Sequence, residues 1–279
     1  MINPDAFQAL KPSARLPVLF LGHGSPMNAI EDNEYRRSWQ ALGAKFGLKW
    51  PKPQLIVCIS AHWLTVGWQL TAMAQPQTIH DFGGFPQALF DQQYPAPGFP
   101  GAALEISKAL KQAGAGTPLG LDQGSWGLDH GTWSVLKPMF PAADIPVIQL
   151  SMDSRGRPED HFAMGHQLKA LRERGVLIVG SGNFVHNLRT MQPGAGSTQA
   201  YQWAIEFDQT IASYLKAVDF EALQRFKSLK TAALAHPSDE HFLPLLYTAG
   251  AVDAHEVPEF FNTSYQAASI AMRSVVWGG

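Results

Sequence analysis

Cysteine is nearly absent from this sequence: Cys58 is the single one, so no disulfide can close within the chain. It sits inside the apolar run Leu55–Ile59, where a buried structural thiol is expected rather than a nucleophile. Charge is also scarce. Asp, Glu, Lys and Arg make up 16% of residues, the formal net charge is −2, and no basic run is longer than Arg36-Arg37. Nucleic acid and anionic membrane surfaces are thereby excluded as partners, and a small neutral or weakly charged ligand is expected instead. No stretch approaches the ~20 apolar residues that span a bilayer. The opening MINPDAFQALKPSARLP lacks the apolar centre of a secretory signal, so a reducing, cytoplasmic setting is expected. Repeats, linkers and low-complexity tracts are missing as well.

What is there is a chain of 279 residues, 46% hydrophobic, with 25 glycines and 20 prolines, enough to bury a substantial core around many tight loops. Short apolar runs recur at Pro17–Leu21, Gln54–Ser60, Ile145–Ser151, Gly175–Ser181 and Ser269–Trp277. Most are continuous rather than alternating, the pattern of strands covered on both faces. Amphipathic stretches lie between them: Glu34–Phe46, Gly101–Gln112, Glu159–Arg174, Thr198–Ala217 and Glu240–Gly250. Strands alternating with helices predict an α/β fold, a single three-layer α/β/α domain over residues 1–279 with a mainly parallel central sheet. The segments Thr78–Pro100 and Leu121–Trp133 are too rich in glycine, proline and aromatics for long regular elements, and read as loops that wall a pocket.

Three of the ten histidines share one context, an imidazole one to five residues beyond an apolar strand: VLFLGHG at His23, LIVCISAH at His62 and VLIVGSGNFVH at His186. In a parallel sheet the carboxyl ends of the strands share one edge, and ligands bind in the crevice outside it. The three should therefore converge. Gly22 and Gly24 would let the chain turn sharply and a ligand approach closely. Further candidates are His130 in GLDHGTW and His241, placed by Ser238-Asp239-Glu240 in the first turn of a helix whose apolar face is Phe242, Leu245 and Leu246. His236 either lines the same space or faces solvent. His161, His166 and His255, in polar helical or loop contexts, read as ordinary histidines. Neutral imidazoles without a cysteine restrict the metal to zinc, ferrous iron or, less aptly, manganese or copper.

The segments FLGHGSPMNAIEDN, ISAHWLT, TIHDFGGFPQALFDQQYPAPG, WGLDHGTWSVL, GSGNFVHNLR and EHFLPLLYTAGA, in this order from about Leu16 to Trp277, together resemble the 4,5-DOPA extradiol dioxygenase family. That family belongs to the class III extradiol ring-opening dioxygenases. The resemblance implies one divalent metal per chain, iron(II) for activity or zinc(II) as bound, with His23, His62 and His241 as ligands. It gives His186 as a fourth ligand or the catalytic acid/base, His130 as a residue facing the substrate, and His80 as a weaker pocket residue. Many class III enzymes use two histidines and a glutamate. Here Glu240 neighbours His241, yet the motif places histidine at the ligand position.

The implied reaction opens a small catechol-type, DOPA-like substrate with O2. One histidine of near-neutral pKa would take a catechol proton and later return it, His186 in that role and His130 orienting the substrate. Trp63, Phe82, Phe85, Trp126 and Trp133 could form a slot for the ring, and Asn183 and Asn187 could bond ligands or form turns. A zinc-dependent hydrolase on the same cluster and a non-catalytic metal-binding protein are the rival readings. Oligomeric state is left open.

Overall fold

Residues 18–22, 55–60 and 176–182 are buried along their whole length, and in a computed structural model describing residues 7–278 they are the central strands of one sheet. Its strands are β1 (Val18–Gly22), β2 (Leu55–Ser60), β3 (Val147–Gln149), β4 (Val176–Gly182), β5 (Glu259–Phe261) and β6 (Ser274–Trp277), in the order β5-β6-β1-β4-β2-β3. The pairs β1/β4, β4/β2 and β2/β3 are parallel, whereas β6 pairs antiparallel with β1 and β5 with β6. Strands buried on both faces need apolar residues at every position, which is why these runs do not alternate.

Consecutive side chains of each strand enter opposite cores. Leu19, Leu21, Ile56, Cys58, Leu177 and Val179 pack with Trp39 of helix α1 (Glu34–Gly43). Val18, Phe20, Val57, Ile59 and Ile178 pack on the other side with Ile106 of α2 (Pro100–Ala109). Helix α3 (His130–Met139) joins the first layer through Trp133, Val135 and Leu136. The second layer receives Met164 of α4 (Pro158–Leu168), Phe207 of α5 (Gln202–Lys216) and Leu245 of α6 (Leu243–Gly250). The expected three-layer arrangement with a mainly parallel sheet is thus observed. The reading of the first residues falls in part on positions 1–6, outside the described residues.

Differences are local. The run Ser269–Trp277 is two strands: Ile270–Ala271 leaves the main sheet to pair with Val185–His186, and β6 follows. The first four residues of α3, His130–Trp133, were expected as part of a loop. All residues of the helix except Lys137 are buried, so it has no polar face and hence no amphipathic period to read. Its start is set by Asp129, whose carboxylate accepts the Thr132 N–H. His241 lies in the turn just ahead of α6 rather than inside it.

Candidate active site

The carboxyl ends of β1, β2 and β4 share one edge, and the chain leaving each carries a histidine. His23 follows β1 directly, its backbone N–H donating to the Gly182 carbonyl at 3.0 Å. The turn beyond it uses Gly24 at φ +55°, where a Cβ would lie 2.3 Å from Gln266 Oε1. Asn183 braces this turn: its Oδ1 accepts the Gly24 N–H at 3.3 Å and its Nδ2 donates to the Ala271 carbonyl at 3.0 Å. His62 is led off β2 by the Ala61 N–H, bonded to the Ser181 carbonyl at 3.0 Å, and its own N–H meets Ser60 Oγ at 3.3 Å. The carbonyl of His241 accepts the Asn183 N–H at 2.9 Å, which pulls the turn before α6 onto the end of β4. His186 is fixed by pairing with Ile270.

These elements bring His23, His62 and His241 together. One nitrogen from each lies within 4.8 Å of the other two, and His23 Nε2 and His62 Nε2 face each other at 3.3 Å. That is about the separation of two nitrogens sharing a tetrahedral ion with bonds of about 2.0–2.1 Å. The Nδ1 of His241 is buried without a hydrogen-bond partner. Burial, and then the surrounding imidazoles, hold His23 and His241 well below the usual histidine range, while burial and His130 push His62 down to about 3. Neutral imidazoles whose nitrogens converge this closely suit a cation, and this cluster fits a mononuclear metal on the chemistry of its donors.

His186 falls outside that trio. Its ring lies parallel to His241, centroids 3.5 Å apart with 6° between the planes, and lines the cavity. Burial, with His236 and His130 adding to it, pushes His186 down to about 3, so the free site holds it neutral and well below the near-neutral value expected of a proton shuttle. His130 opens α3 with its ring 3.9 Å from that of His62. Between them sits Asp81, which the sequence reading passed over in favour of its neighbour His80. Asp81 Oδ1 accepts the His130 N–H at 2.9 Å and lies 2.9 Å from His130 Nδ1, and Oδ2 is 3.5 Å from His62 Nδ1.

The cavity in front of the histidines measures about 820 Å³. Of the five aromatics expected around a ring slot, Phe82 and Phe85 line it. Trp63 and Trp126 stack on each other with ring centroids 5.9 Å apart, and Trp133 is buried, its Nε1–H donating to the Ile79 carbonyl at 2.9 Å. Tyr35, Tyr265 and Gln266 also line the cavity and carried no motif signal. His80 instead donates to the Gln92 carbonyl at 2.9 Å and packs against Phe90 and Trp133. His236 neither faces solvent nor lines the cavity: it is buried between Phe207 and Phe242 and donates to the Phe184 carbonyl at 2.9 Å. Asn187 is a turn former, its Oδ1 accepting the Arg189 N–H at 3.0 Å. Among the described residues no helix is long and apolar enough to cross a membrane.

Residues 17–276 match the family model described as the catalytic LigB subunit of aromatic ring-opening dioxygenase. A protein of Escherichia coli K12 named 4,5-DOPA dioxygenase extradiol is 47% identical over 99% of this chain and 100% of its own length. One of the same name from Beta vulgaris is 36% identical over 88% of this chain and 90% of its own. The crystal structure of an uncharacterized protein from Escherichia coli K12 superimposes with a TM-score of 0.80 at 42% identity, covering 95% of this chain and 100% of that one. Ring opening with oxygen leaves the zinc-hydrolase reading without support. With this matched length, this fold and this cluster of imidazoles, the chain belongs to the family of the catalytic LigB subunit of aromatic ring-opening dioxygenases and is an extradiol ring-opening dioxygenase.

Proposed function

We propose that the chain, acting as one catalytic domain in the cytoplasm, opens the ring of a catechol carrying a DOPA-like tail. It would do so at one divalent metal held by His23, His62 and His241. The observation that carries this reading is the convergence of those three side chains within 4.8 Å at the carboxyl edge of the sheet. Iron(II) is the working ion in this proposal, and zinc is one the same imidazoles would retain. When bound, such a metal supplies open positions for substrate and O2 and a route for electron density from ring to oxygen.

The protein's own part is binding and proton traffic. His186, neutral and lining the cavity, takes one catechol proton as the substrate binds and returns it when the ring oxygen chemistry needs an acid. A group so strongly held neutral can act as the acid only with a proton it has just received, which ties the two transfers together. His130, its backbone fastened by Asp81, presents its ring beside that of His62 and orients the substrate. Phe82 and Phe85 supply apolar faces for the ring, and Glu34 stands on the wall toward which an ammonium tail would point. Among the described residues neither Lys nor Arg lines the cavity, so a carboxylate on the tail is best directed to solvent.

Anaerobic reconstitution with iron(II), followed by oxygen uptake against a panel of catechols, tests the proposal. Uptake should require both iron and a catechol, and the zinc form should show none. Equal turnover of monophenols, or equal rates with zinc, would overturn it.

A further inference from the structure

Ser181 ends the apolar run of β4 and is fully buried between β1 and β2, paired with Leu21 on one side and Ser60 on the other. Its hydroxyl has two neighbours. The Gly131 carbonyl oxygen lies 2.5 Å away and His23 Nδ1 lies 3.0 Å away. Two oxygens cannot sit that close without a proton between them, and a carbonyl has none to give. The one hydroxyl proton of Ser181 is therefore committed to Gly131. It follows that Ser181 can only accept from His23, and that the proton of the neutral imidazole must be on Nδ1.

We infer that Ser181 is a positioning residue that fixes the tautomer of His23, using a carbonyl of α3 as its anchor, so that Nε2 is left bare on the side facing His62. This rests on the reading of His23 as a metal ligand. The relation is oriented: Gly131 orients the hydroxyl, the hydroxyl orients the imidazole, and the imidazole offers its lone pair where His62 Nε2 stands 3.3 Å away. With the opposite tautomer, an N–H would occupy that position. Partners of this kind on the far nitrogen of a metal-binding histidine govern how well the near one binds.

The anchor is itself placed with little freedom. A Cβ on Gly131 would lie 2.4 Å from Ser60 Oγ and 2.8 Å from His62 Cδ2, so α3 can come this close to the strand ends only with glycine there. Ser60, the partner of Ser181 in register, ties the same helix start by donating to Asp129 Oδ1 at 2.7 Å. Two adjacent serines thus hold the first turn of α3, one through its cap and one through its second carbonyl. Only Ser181 passes the constraint on to a side chain of the proposed metal trio.

The test reads the tautomer directly. In metal-free protein labelled with 15N-histidine, long-range 1H–15N correlation should show His23 as the Nδ1–H form, the signal being assigned by its loss in His23→Gln. In Ser181→Ala the signal should move to a mixture of forms, and Zn2+ affinity, measured by competition with a chromophoric chelator, should weaken roughly 10- to 100-fold. A wild-type His23 in the Nε2–H form overturns the inference, whether or not the alanine variant folds. So does an alanine variant with unchanged tautomer and unchanged Zn2+ affinity. Unaltered Zn2+ binding by His23→Gln would instead sink the ligand reading, while leaving the tautomer result to stand by itself.

Discussion

His186 lies flat on His241, ring centroids 3.5 Å apart and planes within 6°. His241 belongs to the converging trio and His186 does not, and the proposed reading gives the two neighbours different jobs. Removing either should give different losses. His62→Ala and His241→Ala are expected to abolish metal binding. His186→Gln should keep full metal content while turnover falls roughly 10²- to 10⁴-fold, the usual weight of a positioned acid/base. Metal analysis alongside steady-state rates distinguishes these, and equal metal loss in all three variants would return His186 to the ligands.

Asp81 meets His130 through its backbone N–H and stands 3.5 Å from His62 Nδ1. Burial alone would raise its carboxyl, but the contacts with His130 and His62 outweigh this and hold it below the usual range, so it stays a carboxylate. Asp81→Asn keeps the shape but offers one acceptor oxygen instead of two. Activity should fall roughly 10- to 100-fold, as for other groups that orient metal-binding histidines, with the folded state intact by circular dichroism. Wild-type rates in this variant would reduce Asp81 to a loop anchor.

The strands, and His23, His62 and His186 at their ends, were legible because each leaves a local signal: a continuous apolar run, then a histidine within a few residues. His241 follows no strand, and its place beside them came only from the motif EHFLPL. The edge that gathers His23, His62 and His186 follows from parallel pairing alone. Helix α3 was hidden because burial on every side erased its period, and its buried residues include both His130 and Gly131. Asp81 and Ser181 were missed for a related reason. Each acts through a contact between segments 49 or more residues apart, Asp81 with His130 and Ser181 with Gly131 and His23, and no spacing along the chain reports such a contact. His161, read as an ordinary histidine, is wholly buried and lies outside the histidine cluster.

That burial has a cost at low pH. Tyr247 Oη accepts from Trp68 Nε1 at 2.6 Å and is hydrogen-bonded to His161 Nδ1 at 2.8 Å, inside the core. Burial pushes the His161 pKa down to about 4. The unfolded chain, with a histidine near 6.5, takes up the proton first, so stability is fully present above about 6.5 and declines as pH falls toward 4. The loss attributable to this residue is up to about 3 kcal/mol. Urea unfolding of wild type and His161→Gln at pH 7.5 and pH 4.5 checks it. The difference between the two proteins should shrink or reverse at the lower pH, and a difference independent of pH would show that His161 does not carry the effect.

Arg172 is fully buried beside the start of β1, at the other end of that strand from His23, and it pairs with Glu256 at 2.5 Å while donating to the Leu16 and Ala251 carbonyls at 2.8 and 3.1 Å. These bonds tie the start of β1, the end of α6 and the loop before β5 at one point. Burial raises the Glu256 carboxyl, but the Arg172 guanidinium overrides this and holds it below its ordinary value. Its contribution is therefore present above the unfolded carboxyl range near 4.5 and lost as pH falls through the lower folded value. Glu256→Gln leaves the guanidinium buried without its counter-charge, and breaking such a pair costs about 3–5 kcal/mol. The variant should unfold at distinctly lower urea with Zn2+ affinity unchanged at the opposite end of β1. Replacing both partners, as Arg172→Met with Glu256→Gln, should recover part of the loss, because the unpaired charge is then gone. If the double variant is as unstable as the sum of the two single changes, the pair is not coupled and the carbonyl bonds of Arg172 alone hold this corner.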